Sequence, residues 1–484
     1  MKKILVILSF FLLSISCGKL EDLNKNIKDP ASVPGETLFT NAQRRLVNQV
    51  VSTNVNLNNF RLFVQYWTET TYTDESNYDL TTRTTPDNLW DLFYISALKN
   101  FDESAKVIAA TPIPAGEDAA VKQNKLAIIE VMEVYCFDVL VETFGNIPYS
   151  DALDINKPLP KYDDGMTVFK ALLVRLDAAI SKLNTASGSF GVADNIYGGN
   201  VARWIKFANS LKLRMGLVIA DVDNGTAKTV VESASANVIS SNADNAKVIY
   251  LSAAPNTNPL YIDLVASARH DFVPTSIIID EMNSLNDPRL PLYFTQVDTS
   301  TVTGVEKLAY SGGVYGSSND FLAYSHVADL IQTPTFPGTL FDYAEVQFLL
   351  AEAVERGFAV GGTAAQHYNS AITASIEDWG GTEAQATAYL ANPKVAYATA
   401  TGTWQQKIGI QSWIGYYNRG FEAWTQWRKL DYPLLEPGAD ALSAIPLRYT
   451  YPIEEQTLNG ANWKTASTAI GGDAVDTKLF WDKF

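Results

Sequence analysis

Apolar residues recur at three- and four-residue spacing over most of the chain from Glu36 onward, which is the pattern of one buried face of an α-helix. The pattern predicts a mostly α-helical protein. The predicted helices cover residues 38–50, 60–70, 89–109, 119–143, 166–184, 202–221, 226–239, 343–356, 364–379 and 415–429.

Some of these helices form pairs joined by short turns. The gap between helices 343–356 and 364–379 contains Gly361 and Gly362. In the second helix an aromatic residue is followed three or four positions later by a small and an aliphatic residue, which is how the second helix of a tetratricopeptide-type pair meets the first. About four such pairs, irregularly spaced and with large insertions, predict a distorted helical-repeat scaffold.

Two long stretches break the helical pattern. Residues 71–88 are rich in Thr, Asp, Asn and Tyr, and residues 297–337 are rich in Gly, Ser, Thr and Tyr. Long irregular segments on a helical body are usually binding loops or disordered. We therefore interpret both as inserted loops, and we find no clean linker that would divide residues 36–484 into separate domains.

The N-terminus has the pattern of an export signal. Lys2 and Lys3 precede an apolar run at 4–15 that is too short to span a bilayer, and Cys17 follows directly after Ser16. A cysteine at the cleavage point indicates the bacterial lipoprotein variant, in which Cys17 carries the lipid anchor. We predict a signal peptide at 1–16 and a polar, lipidated tether at 17–35. The alternative is an ordinary secretory signal with an incidental cysteine.

Composition narrows the possible partners. Hydrophobic residues make up 47% of the chain, which is enough for a large core, and the formal net charge is −16. So acidic a surface repels phosphate backbones, which disfavours nucleic acid as a partner. With Cys17 lipidated, Cys136 has no partner for a disulfide, and we expect it to be an inert core residue.

Sequence motifs for catalysis are missing. The chain has no Walker loop, no G-x-S-x-G, no H-E-x-x-H and no C-x-x-C, and its three histidines fall in separate segments. A stretch from Asp221 to Gly225 is similar to a calcium loop, but its glycine comes one position early, and a helix C-terminal turn closed by Gly225 is the simpler interpretation. We predict no metal, no cofactor and no enzymatic activity.

Several phrases of the sequence resemble the SusD/RagB family of Bacteroidota outer-membrane lipoproteins. No single phrase is decisive, but they occur in the family's order from the lipid cysteine to the C-terminus. They are WDLFYISALKN at 90–100, TFGNIPYSDA at 143–152, PKYD at 160–163, WIKFANSLKLR at 204–214, NDPRL at 286–290, FEAW at 421–424 and PLRY at 446–449.

The resemblance implies a nutrient-binding lipoprotein on the outer membrane that faces the cell surface. Such a protein would act as a lid on a SusC-like TonB-dependent transporter, capture an oligomer and pass it to the barrel. The usual ligand in this family is a glycan, and some members handle peptides. A helical-repeat scaffold that binds only protein, and an enzyme, are the competing interpretations.

The two inserted loops are where we expect the ligand. Flat aromatic faces suit the apolar faces of sugars, and Asn, Asp and Arg suit their hydroxyl groups. We expect the loops to meet on the surface away from the bilayer, whereas Trp67 and Trp90 should be core residues. The candidate ligand-binding residues are Tyr72, Asp74, Asn77, Tyr78, Arg83, Tyr310, Tyr315, Asn319, Asp320, Phe321 and Tyr324.

Overall fold

Helices form most of the computed structural model, which describes residues 33–116, 118–300 and 307–483. A π-helical segment, Leu92–Leu98, joins the third helix of the chain to the fourth. The helices are α1 (Gly35–Val51), α2 (Phe60–Phe63), α3 (Thr85–Asp91), α4 (Lys99–Ala110), α5 (Ala119–Phe144), α6 (Gly165–Lys182), α7 (Val201–Val218), α8 (Asn224–Ala234), α9 (Pro259–Tyr261), α10 (Ser276–Leu285), α11 (Leu290–Tyr293), α12 (Tyr343–Glu355), α13 (Ala364–Asp378), α14 (Glu383–Leu390), α15 (Trp404–Gly415), α16 (Gly420–Leu430), α17 (Ile453–Leu458) and α18 (Gly460–Ala469).

The helices pack in pairs, as the sequence predicts. α1 lies against α4, α5 against α6, α7 against α8, α12 against α13, and α15 against α16. Side-chain caps fix several of the helix starts: Thr363 and Gln366 form a capping box at α13, and the Asp118 carboxylate accepts from the backbone N–H of Ala120 at α5. The irregular helical-repeat architecture is therefore confirmed.

The described strands are short and pair two by two, all antiparallel. β1 (Trp67–Glu69) pairs with β5 (Phe272–Pro274), β2 (Ile147–Pro148) with β3 (Tyr162–Asp163), β4 (Ala246–Val248) with β8 (Gly338–Phe341), and β6 (Val297–Asp298) with β7 (Leu308–Ala309). They join segments that are far apart in sequence rather than forming a sheet of their own.

Two local predictions are wrong. The predicted helix 60–70 ends at Phe63, because the chain turns at Gln65, whose φ is 57°, and then enters β1 to pair with β5. Gly225 does not close a helix; it lies in the first turn of α8, where the Asp223 carboxylate accepts from the backbone N–H of Thr226. Pairing with a distant strand sets the structure of the first segment, and an N-cap sets that of the second. Local periodicity shows neither of them.

Charged residues are buried between the helices. Arg214 on α7 contacts Asp138 on α5 at 3.2 Å and Glu345 on α12 at 3.4 Å, and Arg419 contacts both Glu345 and Asp342. Burial raises the pKa of Glu345 to about 7, against the opposing charges of the two arginines. The helix pairs are thus joined by ion pairs as well as by apolar packing.

The C-terminal part of the chain closes over the N-terminal part. The hydroxyl of Tyr449 accepts from the backbone N–H of Asn59 at 3.2 Å, 390 positions away, and the Tyr449 N–H donates to the carbonyl of Thr143 at 3.0 Å. Arg448 donates to the carbonyl of Phe144 at 3.1 Å. Residues from both ends of the chain therefore complete one core.

Three further expectations bear on the fold. Trp67 and Trp90 are buried, at 1% and 6% exposure, as predicted for core residues, and Cys136 is a buried free thiol. Within the described ranges, none of the helices combines the length and apolarity that a bilayer crossing needs. The predicted signal peptide, Cys17 and nearly all of the tether lie outside the described residues, so those boundaries stay predictions.

Candidate ligand-binding site

The two predicted binding loops meet. The side-chain amide of Asn77 donates to the carbonyl of Gly316 at 2.7 Å, and the backbone N–H of Asn319 donates to the carbonyl of Thr70 at 2.9 Å. The rings of Tyr78 and Tyr315 lie 6.2 Å apart between their centroids. This contact between segments more than 200 positions apart agrees with the sequence-based expectation.

Asn319 is the main connector of this loop junction. Its side-chain amide donates to the carbonyls of Glu69 at 3.2 Å, Val314 at 3.1 Å and Ser317 at 2.6 Å, and its side-chain oxygen accepts from the Val314 N–H at 2.8 Å. One buried side chain therefore fixes the shape of the second loop and its contact with β1 together.

Four of the predicted ligand-binding residues are buried, so the expectation that they are exposed is wrong. Asn77, Tyr78, Tyr315 and Asn319 are 3–7% exposed. The hydroxyl of Tyr315 donates to the carbonyl of Leu62 at 2.8 Å, which turns the ring into the core. These side chains hold the loops together.

Phe321 also differs from the expectation of a free aromatic platform. Its ring stacks on His270 at 4.2 Å and on His326 at 3.8 Å between centroids, with interplanar angles of 20° and 10°. Two nearly parallel rings at such distances must lie on opposite faces of Phe321, so neither face is open to a sugar. Its role is to attach the second loop to the segment that contains His270.

A small polar cavity lies beside this junction. It has a volume of about 130 Å³, and Tyr72 stands at its edge with 65% of its side chain exposed. Of the predicted ligand-binding residues, Tyr72 and Arg83 line it. The other polar lining residues are Thr53, Asn54, Asn56, Glu69, Thr71, Asp263, Ser267, Arg269 and Asp271.

Charges around the cavity are mostly compensated within the protein. Arg83 forms an ion pair with the buried Glu75, and Arg269 contacts Asp271 at 2.6 Å. Glu69 lies next to Glu75, and burial together with that neighbouring carboxyl raises the pKa of Glu69 to about 9. Glu69 is therefore protonated at neutral pH, and the cavity presents hydrogen-bonding groups with little net charge.

The remaining predicted residues surround the junction without lining the cavity. Asp74 and Asp320 are exposed, and the Asp320 carboxylate accepts from the Leu322 N–H at 3.0 Å. Tyr310 and Tyr324 are half-buried. Sequence reasoning missed Arg269 and Asp271, because nothing in their local pattern shows that β5 brings them next to the first loop.

Glu69 lines the cavity and the buried Glu75 does not, so these two neighbouring carboxyls are not both open to a ligand there. Among residues 33–116, 118–300 and 307–483 there is also no group of three or more His, Cys, Asp or Glu side chains placed to hold a metal ion.

Comparison with known proteins identifies the family. A family model for SusD-like proteins, described as starch-binding and associating with the outer membrane, matches residues 26–452, and the chain belongs to this family. The resemblance found in the sequence phrases is thereby confirmed. A search of curated proteins finds no match.

Solved structures share the fold over nearly the whole chain. A chitin-binding protein is 28% identical, with 93% of this chain and 100% of that one covered and a TM-score of 0.80. A SusD homologue from Bacteroides uniformis is 28% identical, with 92% and 99% covered and a TM-score of 0.77. A chitin-binding SusD homologue from Flavobacterium johnsoniae is 24% identical, with 92% and 97% covered and a TM-score of 0.76.

Proposed function

We propose that this protein is a cell-surface lipoprotein that captures an oligosaccharide and delivers it to a SusC-like TonB-dependent transporter, acting as the transporter's lid. The observation that carries the proposal is the polar cavity at the loop junction, with the exposed ring of Tyr72 at its edge, in a chain of the SusD-like family.

The cavity suits a neutral glycan for two reasons. The Tyr72 ring offers an apolar face on which a sugar ring can stack, and the lining supplies amides, hydroxyls and paired charges that match sugar hydroxyl groups. The family description names starch, and one 28% identical structure is that of a chitin-binding protein. Starch-derived and chitin-derived oligosaccharides are therefore the first ligands to test.

Binding without turnover is part of the proposal. The family description names starch binding and association with the outer membrane, which supports capture rather than hydrolysis. A peptide ligand in the same transport system is the second candidate, because paired charges such as Arg269–Asp271 could also bind a peptide backbone and its termini.

Calorimetry on the purified protein tests capture. Maltohexaose, N-acetylglucosamine hexamer and a mixed peptide pool are titrated in turn, and chromatography after long incubation checks for shorter products. We expect binding of at least one oligosaccharide, no products, and loss of binding in Tyr72→Ala. Binding of the peptide pool alone would favour the peptide function, and release of shorter sugars would refute the non-enzymatic assignment.

Anchoring and delivery need tests of their own. We expect Cys17→Ala to release the protein from the outer-membrane fraction, while the parent resists washing with salt. Mild-detergent pull-down of the tagged parent from native membranes should recover a TonB-dependent barrel in about equal amount. A Cys17→Ala protein that stays with the outer membrane, or recovery of the lipoprotein alone, would contradict the respective part of the proposal.

A further inference from the structure

Three surface segments near the first helix pairs each expose an aliphatic side chain. Ile95 lies in the π-helical segment Leu92–Leu98, Leu159 in the connection between β2 and β3, and Leu458 at the end of α17, with 62%, 57% and 68% exposure. We call these three residues the apolar patch. Ile155 in the same connection is 92% exposed.

Hydrogen bonds hold the three segments side by side. The hydroxyl of Tyr94 donates to the carbonyl of Pro148 at 2.7 Å, and the side-chain amide of Asn462 donates to the carbonyl of Leu159 at 3.2 Å. Between them lies a cavity of about 300 Å³, lined by Tyr94, Ile95, Leu153 and Pro160 among others. It shares no lining residue with the cavity at Tyr72.

Acidic residues surround the apolar patch without ion-pair partners, and Lys99, which lines the same cavity, contacts Asp102 at 3.2 Å. Asp87, Asp91, Glu454 and Glu455 lie close together, and the Asp87 carboxylate accepts from the backbone N–H of Glu454 at 3.2 Å. Among the described residues, no Lys, Arg or His lies within the 4.0 Å of an ion pair to any of the four. Burial and the other three acids raise the pKa of Asp91.

This arrangement costs stability, because like charges repel and exposed aliphatic side chains gain nothing from water. Contiguous apolar surface rimmed by polar groups marks an interaction site more often than a solvent-facing surface. A π-helical segment within an α-helix is also frequent at functional sites. The repulsion would be relieved by a partner that brings positive charge.

The chemistry of the patch decides between possible occupants. Ile95 offers no flat face to a sugar, and the rings of Trp90 and Tyr94 that line the cavity pack against each other at 4.8 Å between centroids. An acidic rim repels anionic lipid headgroups. A second copy of the chain, joined by a twofold axis, would place the same acids opposite each other. A polypeptide with apolar and basic side chains matches both the aliphatic surface and the unpaired carboxylates.

We propose that the apolar patch and its acidic rim bind a partner protein through a segment in which an apolar side chain, seated in the cavity beside Ile95, is flanked by Lys or Arg. The inference deepens the proposed function, since it names a surface, separate from the cavity at Tyr72, through which the protein would be held during delivery. Its test does not depend on oligosaccharide binding.

Site-specific photo-cross-linking of the full-length protein in its native cells tests the proposal. A benzophenone amino acid replaces Ile95, and the control position is Val174, which is 70% exposed on α6. We expect a cross-link from position 95 to a protein other than this chain, and its mapped attachment point should lie next to Lys or Arg within an apolar segment.

Charge reversal sharpens the test. Asp91→Lys with Glu454→Lys should reduce the cross-link from position 95 about tenfold, the effect of losing two surface ion pairs. The matched control Glu383→Lys with Asp440→Lys should leave it unchanged. Asp91→Asn with Glu454→Gln gives a second pair of variants if the reversed charges lower the melting temperature.

The remaining outcomes overturn the proposal. The first is a cross-link to lipid, to glycan or to a second copy of the chain. The second is a cross-linking yield at position 95 no greater than at Val174. The third is a protein cross-link whose yield the charge variants do not change. Calorimetry with an oligosaccharide on the same variants separates this proposal from the capture function, because Asp91 and Glu454 do not line the cavity at Tyr72.

Discussion

The ligand cavity and the apolar patch both lie on the surface, but they differ in how their charges are balanced. In the cavity, Arg83 faces Glu75 and Arg269 faces Asp271. At the patch, Asp91 and its acidic neighbours form no ion pair among the described residues, since the nearby Lys99 contacts Asp102. A cavity that neutralises its own charges suits an uncharged ligand, whereas a surface with unpaired charges is complete only when a partner supplies the opposite sign.

The two regions also differ in how far their key side chains are buried. The cavity depends on buried contacts between distant segments, such as Asn319 with Glu69. The apolar patch also joins distant segments, but Ile95, Leu159 and Leu458 are themselves exposed. Changes to buried connectors should therefore affect the cavity strongly, and changes at the patch should affect stability little.

The largest effect should come from Asn319→Ala. The change removes the amide that donates to the buried carbonyl of Glu69 and to the part-buried carbonyls of Val314 and Ser317, at a cost of about 2–4 kcal/mol in unfolding free energy. Urea unfolding should show this loss, and oligosaccharide affinity should fall with it. Ser317→Ala, in the same loop, serves as the control. An unchanged unfolding midpoint for Asn319→Ala would show that Asn319 does not hold the junction.

Tyr72→Ala should act on binding alone. Losing one aromatic face costs about 1.5–3 kcal/mol of binding, so affinity should fall about 10- to 100-fold. Because the side chain is 65% exposed, the melting temperature should stay within about 1 °C of the parent. Tyr72→Phe should retain most of the affinity. If Tyr72→Ala binds as tightly as the parent, the sugar does not stack at this position.

Glu69→Gln should change the pH dependence of stability. Burial and Glu75 raise the folded-state pKa of Glu69 from 4.5 to about 9, so the contribution of Glu69 to stability is fully present below about pH 4.5 and is lost as pH rises through 9. Glutamine resembles the protonated acid and does not ionise. The variant should match the parent at pH 4.5 and melt about 1–3 °C higher at pH 9.

The control for this experiment is Glu383→Gln on the exposed start of α14, which should leave the pH profile unchanged. If Glu69→Gln and the parent lose stability in parallel between pH 4.5 and 9, Glu69 is ionised in the folded protein.

The smallest effect should come from Asp91→Asn. Removing one of several repelling acids should raise the unfolding free energy by about 0.2–0.5 kcal/mol, and 1 M salt should reduce the difference. The urea midpoint, with Glu383→Gln as the control, is the measurement. A loss of stability in Asp91→Asn would mean that the acidic rim has a structural role and is not a surface awaiting a cation.

Most of the long helices were predictable from the sequence, and α15 was not. The predicted helices 119–143 and 364–379 agree closely with α5 and α13. α15 was missed except at its end, because its buried residues include Gly409, Gln411 and Ser412, so apolar positions alone do not mark its buried face. The predicted helix 60–70 failed because pairing with β5 outweighs local preference.

The loops of the site were predictable, but the directions of their side chains were not. Composition separates 71–88 and 297–337 from the helical body. Whether a tyrosine in such a loop faces solvent depends on partners elsewhere, as when the hydroxyl of Tyr315 reaches the carbonyl of Leu62, 253 positions away. Tyr72 and Tyr78 stand in the same loop, and only the fold shows that one is exposed and the other buried.

The closure of the core by the last part of the chain has a consequence for biosynthesis. Asn59 and Tyr449, which share a hydrogen bond, are separated by 390 residues. At a synthesis rate of ~5–20 residues per second, the ribosome needs about 20–80 s to make that stretch. Throughout this interval the N-terminal helices lack part of their core, and the apolar surface that this leaves exposed is the kind that chaperones bind.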